Sequence, residues 1–243
     1  MPLRTTWWGK VVAGNRLLRA MAGSDVTRLK PHVEEVTLQQ GETLYQPEDP
    51  LTHVYFPHDA VISLQILGTD GALVEAATIG REGMAGLGGS LPRDNAFTRQ
   101  LVQLRGRAAK VERKALLDII EGNQSLKVLF TNHADAFASH ILQSVACNAS
   151  HSTEARLARW LLSALDRCGG NRISLTHDDL AIAFGVRRPT VTLTVRSLQA
   201  AGLLDGARGT ITVVDRSGLE QIACECYHII KKNYERVYRS RRR

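Results

Sequence analysis

Cysteine is scarce and late in this 243-residue chain: Cys147, Cys168, Cys224 and Cys226 are all there are. They do not form the paired C-x-x-C clusters of structural zinc, and Cys224-Glu225-Cys226 is too short for such a pair, so it reads as helix packing. A reduced chain without a metal site is expected. No apolar run reaches the ~18 residues of a membrane span. The opening MPLRTTWWGKVVAGNRLL has no continuous apolar core followed by a small-residue cleavage site, so no secretory signal is read and a cytoplasmic chain is expected. G-x-S-x-G, H-E-x-x-H and Walker loops are missing, and HVYFPH has its histidines five apart instead of the H-x-H of a cupin metal site. No enzyme, catalytic residue or cofactor is expected.

What is present is an ordinary globular composition, 44% hydrophobic and 23% charged, at a length that suits two domains. The formal charge of +7 favours a polyanionic partner such as nucleic acid. From about Glu34 to Val111, turn signals (QQGE, QPEDP, PHDA, GTDG, GREG, LPRDN) separate VEEVTL, HVYFP, AVISLQIL, ALVEAATI and TRQLVQL. Short strands at that spacing predict an antiparallel β-roll. RKALLDII then changes to a helical period, and QSLKVLFTNHADAFASHILQSVACNAS runs without Gly or Pro. Its apolar Leu126, Leu129, Phe130, Phe137, Ile141 and Val145 recur at threes and fours, which suits packing on the roll or a seam with a second copy, and the seam is preferred. NASHST interrupts this helix as a hinge, with Ser152 or Thr153 as the next N-cap and Glu154 in the first turn.

After EARLARWLLSALDRC and a GGN stop, Thr176 caps HDDLAIAF, with Leu180, Ala181 and Phe184 inward, and Gly185 supplies a tight turn. A second helix starts near Arg188 with Pro189 in its first turn. Val191, Val195 and Leu198 share one face, which leaves Arg188, Thr192 and Arg196 to point away from it. That is a helix-turn-helix, and AAGLL followed by DGARGTITVVD reads as strand, turn and strand, the wing of a winged helix. Arg187, Arg188, Thr190, Thr192, Arg196 and the wing's Arg208 are the DNA-binding candidates, because Arg pairs with guanine O6 and N7 and Thr suits phosphates.

HDDLA, GVRRPTVT, LQAAGLL and RGTITVVD resemble the winged helix of the Crp/Fnr superfamily of bacterial transcription factors, with HVYFP, GREGMAGL and LEQIACECY in further support. The resemblance covers about 15–228 and implies an α+β chain. Its parts would be a cyclic-nucleotide-binding-like β-roll (15–123), a dimerisation helix (124–149), a winged helix-turn-helix (150–230) and a basic tail (231–243), the tail read as a solvated end. It implies double-stranded DNA, a second copy of the chain and RNA polymerase as partners, with the effector left open. The family's cyclic AMP cassette has an acid and, about ten residues on, an Arg. Here Gly83, Met84, Ala85, Gly86 and Leu87 stand in that run, with Leu87 at the acid's place and Arg99 just beyond the Arg window. Ile141 and Leu142 stand where family hydroxyls hold adenine, and Phe137 is a further pocket candidate. Cyclic AMP control in the usual mode is therefore not expected; a shifted cassette using Arg99, or a non-specific nucleic-acid-binding protein, are the alternatives. A family iron–sulfur sensor is excluded because no cysteine precedes Cys147. In the recognition helix Arg188 matches a base-contacting Arg, whereas Pro189 and Leu193 replace the familiar Glu and Arg, so a different half-site is implied. His133, His140 and Cys147 recur every seven residues, roughly 10 Å apart along one helix, so they cannot chelate a metal together; across a seam they could face their own copies as a pH or metal switch.

Overall fold

Turn residues between short apolar runs end strands where the sequence pattern predicts. The computed structural model describes residues 7–68, 73–87, 94–206 and 209–239. Three short helices, α1 (Trp7–Gly14), α2 (Arg16–Ala20) and α3 (Gly23–Leu29), precede the roll. Seven strands follow: β1 (Val33–Leu38), β2 (Thr43–Tyr45), β3 (His53–Pro57), β4 (Val61–Leu67), β5 (Leu73–Ile79), β6 (Arg99–Leu104) and β7 (Gly106–Glu112). They pair antiparallel in two sheets, β1-β7-β3 and β2-β6-β4-β5. Leu38, Ile62, Ile79, Val102 and Ala108 form an apolar cluster within the roll.

The roll hands the chain to α4 (Arg113–Glu121) and α5 (Gln124–Ser150). Asn123 starts α5 by accepting from Ser125 N–H and Leu126 N–H, and its own amide donates to Asp25 at 3.0 Å, tying the helix start to α3. The predicted interruption at Asn148 is narrower than NASHST suggests. α5 stays helical through Ser150, and only His151 and Ser152 separate it from α6 (Thr153–Cys168), whose N-cap is Ser152. The winged helix continues with β8 (Arg172–Ile173), α7 (His177–Phe184), α8 (Arg188–Ala200), β9 (Leu204–Asp205), β10 (Ile211–Val213) and α9 (Arg216–Ile222). β10 pairs with both β8 and β9.

One expectation is corrected outright. From Lys231 to Arg239 the basic end of the chain is not a solvated tail: it belongs to α10 (Cys226–Arg239), which lies along α5, and 240–243 lie outside the described residues. Ile230, Tyr234 and Val237 recur at i, i+4 and i+7 and are buried, so an amphipathic stripe, not the charge, decides the structure of this segment.

The winged helix docks on the outer face of the four-stranded sheet. Val61 and Leu104 of the roll join the apolar core built by α6, α7 and α8. Trp160 Nε1 donates to Glu75 Oε1 at 3.0 Å, and Ser63 Oγ donates to Glu75 Oε2 at 2.6 Å. Burial pushes the Glu75 carboxyl above its usual range, against these two hydrogen bonds. Arg167 at the end of α6 forms a 2.7 Å ion pair with Glu82, and Gln40 Nε2 donates to Ser174 O at 2.9 Å.

Candidate nucleic-acid interface

Thr176 caps α7 through a capping box with Asp179, and Gly185 ends that helix in the left-handed region at φ 60°, as the turn requires. The chain then enters α8 with Pro189 in the first turn. Val191, Val195 and Leu198 are buried against α6 and α7, which fixes the opposite face outward. Arg187, Arg188, Thr190 and Arg196 are all exposed on that face or at its start. Arg188 Nε sits 3.5 Å from Asp178, with both side chains more than 60% exposed, so the pair is weak and readily exchanged for a phosphate or base.

Thr192 departs from the expected free position. It is half-buried, its hydroxyl donates to Arg188 O at 3.1 Å, and it meets His177 Nδ1 at 3.0 Å. Its place is to brace the start of α8 against α7. Arg208 lies outside the described residues. Leu193, identified from the sequence only as a substituted position, is 67% exposed on the outward face. An apolar group there can meet a thymine methyl.

The effector candidates do not converge on one polar pocket. Gly86 has φ 87°, and a Cβ there would lie 2.2 Å from His53 O, so the turn tolerates only glycine. Gly83 lies under the His133 ring, while Met84, Leu87 and Phe137 pack half-buried against the apolar cluster shared by α1, α2, α3 and α5. Ile141 is half-buried, and Leu142 is 70% exposed. Arg99 pairs in register with Gln65, which also pairs with Glu75, the carboxylate held by α6. Directly paired residues share a sheet face, so Arg99 faces the winged-helix side; Leu64, on the other face, belongs to the roll's inner cluster. Its guanidinium is held by Gln65 at 3.4 Å and Thr43 at 3.2 Å.

The helix face carrying His133 and His140 is corrected as well. Both are buried in the chain itself, against Tyr234 of α10 at ring separations of 5.9 and 6.0 Å, and do not line an outward seam. Burial lowers His133 to about 4 and His140 well below the usual imidazole range, so both stay neutral. Of the six apolar residues read as a stripe, Leu126, Leu129 and Phe130 are buried inside the chain; outward apolar surface on α5 comes from Val128, Leu142 and Val145, which are 50%, 70% and 63% exposed. The same packing brings together Cys147, His151, Cys224 and Cys226, whose juxtaposition no local spacing in the sequence signals.

Residues 155–222 match the Crp-like helix-turn-helix domain. No curated protein matches the chain. Solved structures share its fold. A protein of the Crp/Fnr family from Eubacterium rectale, described as a transcriptional regulator, aligns with TM-score 0.66 at 16% identity over 86% of this chain and 98% of that one. The cyclic di-GMP-responsive global regulator CLP of Xanthomonas campestris aligns with TM-score 0.61 at 15% identity, over 80% of this chain and 100% of that one. A Crp-family transcriptional regulator of Thermus thermophilus aligns with TM-score 0.60 at 18% identity, over 77% and 96%. Among the described residues no helix is long and apolar enough to cross a membrane.

Proposed function

We propose, from the premise that residues 155–222 are a Crp-like helix-turn-helix domain, that the chain is a sequence-specific, homodimeric transcriptional regulator that is not switched by cyclic AMP or cyclic GMP. The observation that carries the reading is α8, with three exposed arginines at its start and along its outward face, a buried apolar face beneath them, and a proline in its first turn. Its partners in this reading are double-stranded DNA, a second copy of the chain and RNA polymerase, in the cytoplasm. Leu193 in place of a polar residue favours a half-site with a thymine where family members read guanine.

Sequencing genomic fragments retained by the purified protein tests this. The expected yield is one pseudo-palindrome with half-sites about 10 to 10.5 bp apart, because a two-fold dimer sets two recognition helices on one face of the duplex. Arg188→Ala is expected to cost about 1 to 3 kcal/mol on that site and to relax discrimination at one base step. Equal losses on specific and random DNA would reduce Arg188 to a phosphate contact.

For the effector, the reading rests on Leu87 where an acid is needed, on the apolar Ile141 and exposed Leu142, and on Arg99 facing away from the roll interior. A ligand shifts an equilibrium only through differential affinity for its two states, and such a pocket offers a cyclic phosphate little. Calorimetry with millimolar cyclic AMP or cyclic GMP is expected to show no binding that alters DNA affinity. Micromolar binding with a tenfold change in DNA affinity would restore the shifted cassette.

A further inference from the structure

Two chain segments that are distant in sequence meet where α5, the winged helix and α10 join. Cys147 sits in the last turn of α5, His151 is its C-cap, and Cys224 and Cys226 flank the step from α9 into α10. One donor atom from each, three sulfurs and a ring nitrogen, lies within 4.8 Å of all the others. Cys147 Sγ is 3.5 Å from Cys224 Sγ, and Cys226 Sγ is 3.7 Å from His151 Nδ1. With metal–sulfur bonds of about 2.3 Å and metal–nitrogen bonds of about 2.0 Å, the edges of a tetrahedron are about 3.5 to 3.8 Å. These two separations match those edges, and none of the others exceeds 4.8 Å.

The surroundings are those of a metal site and not of packed thiols. The other ring nitrogen of His151, Nε2, pairs with Glu225 Oε1 at 3.2 Å. A carboxylate on the far nitrogen is what fixes the tautomer and orientation of a metal-bound imidazole. Gln143 Nε2 donates to Cys226 Sγ at 3.1 Å, as a donor to a thiolate would. The three cysteines are buried and free. Arg156 and Arg159 are buried on the adjacent face of α6, each with an Nε that has no hydrogen-bond partner, and both lie within electrostatic reach of Cys147. Three thiolates around a divalent ion leave one net negative charge, which these guanidiniums offset.

We propose that Cys147, His151, Cys224 and Cys226 form a closed tetrahedral site for a thiophilic divalent cation of the zinc class, supported by Glu225 through His151. With four protein ligands the site has no open position, so its role is to hold the joint and not to activate water. A disulfide between Cys147 and Cys224 is the rival use of the same atoms, but it would leave Cys226, His151 and Glu225 without a purpose.

The test uses the full chain, purified and kept reduced. Titration with Co2+ is expected to give one equivalent per chain, with thiolate charge-transfer absorption and the intense visible bands of tetrahedral cobalt, both bleached by Zn2+. Cys226→Ser is expected to lose the three-thiolate spectrum while the far-ultraviolet circular dichroism stays as in the parent. Glu225→Gln should keep the spectrum but weaken Zn2+ against a chromophoric chelator by about 10- to 100-fold. No tetrahedral band at stoichiometric Co2+, a band that survives Cys226→Ser, or a reduced protein that takes up no metal but re-forms a Cys147–Cys224 disulfide in air would each overturn the assignment. DNA binding is not part of the readout, so failure here leaves the regulator reading standing, and the reverse.

Discussion

A Leu142→Asp, Val145→Asp variant is expected to sediment as a monomer at micromolar concentration, where the parent chain sediments as a dimer, and to bind the palindromic site about 100-fold more weakly or worse. The two side chains are 70% and 63% exposed on α5, opposite the face packed against the roll and α10. In a two-fold seam each is buried twice, and a buried Leu or Val contributes about 1.5 to 3 kcal/mol. Four unpaired carboxylates in the same place reverse that gain. The choice of positions matters. Phe137 lies on the same helix but packs half-buried against two intrachain clusters, so a charge there would unsettle the monomer and confuse the result. A parent chain that is itself monomeric, or a variant that remains dimeric, would remove this face of α5 from the assembly.

Arg167→Ala is expected to lower stability by about 3 to 5 kcal/mol in denaturant unfolding, the largest effect of any single truncation considered. Arg167 and Glu82 are both below 10% exposed and 2.7 Å apart. The guanidinium also donates to the hydroxyl of Thr78 and, at 3.1 Å, to its carbonyl. Gly80 admits this side chain: a Cβ on it would lie 2.5 Å from Arg167 carbons. Truncation leaves the buried Glu82 carboxylate without its charge partner, with the Gly80 N–H still donating to it at 3.2 Å. Replacing both partners, Arg167→Met with Glu82→Leu, should therefore recover most of the loss, since neither charge is then left alone. A loss under about 1 kcal/mol for Arg167→Ala would mean that the pair is solvated after all.

The parts of this chain that could be read from sequence are those whose signals are local. VEEVTL, HVYFP, VISLQIL, LVEAATI and RQLVQL became strands, and the Thr176 cap, the Gly185 turn and Pro189 bound the two helices of the helix-turn-helix. β7 was not legible, although it is the central strand of its sheet. Its Gly106-Arg107-Ala108-Ala109-Lys110 has little strand propensity, and Ala108 and Ala109 suit it because both are fully buried, where larger residues would not fit. The stripe on α5 was visible as a stripe, but its division into an inward and an outward half depends on α10, which the density of basic residues disguised. The cysteine–histidine cluster failed for a different reason. Metal-ligand spacing rules describe chelates closed within one short loop, and here 77 residues separate Cys147 from Cys224. The face taken by Arg99 depends on strand register, which no residue type announces.

The two residues between α5 and α6, and the short step from α9 into α10, lie side by side at the end of α5. The winged helix therefore leaves the body and returns to it at a single corner. Away from that corner the same domain is clasped to the sheet by the Trp160–Glu75 hydrogen bond and the Arg167–Glu82 ion pair. Any rotation of α8 about the corner has to break those buried contacts first, so the corner sets where the domain could turn and the sheet sets what turning costs.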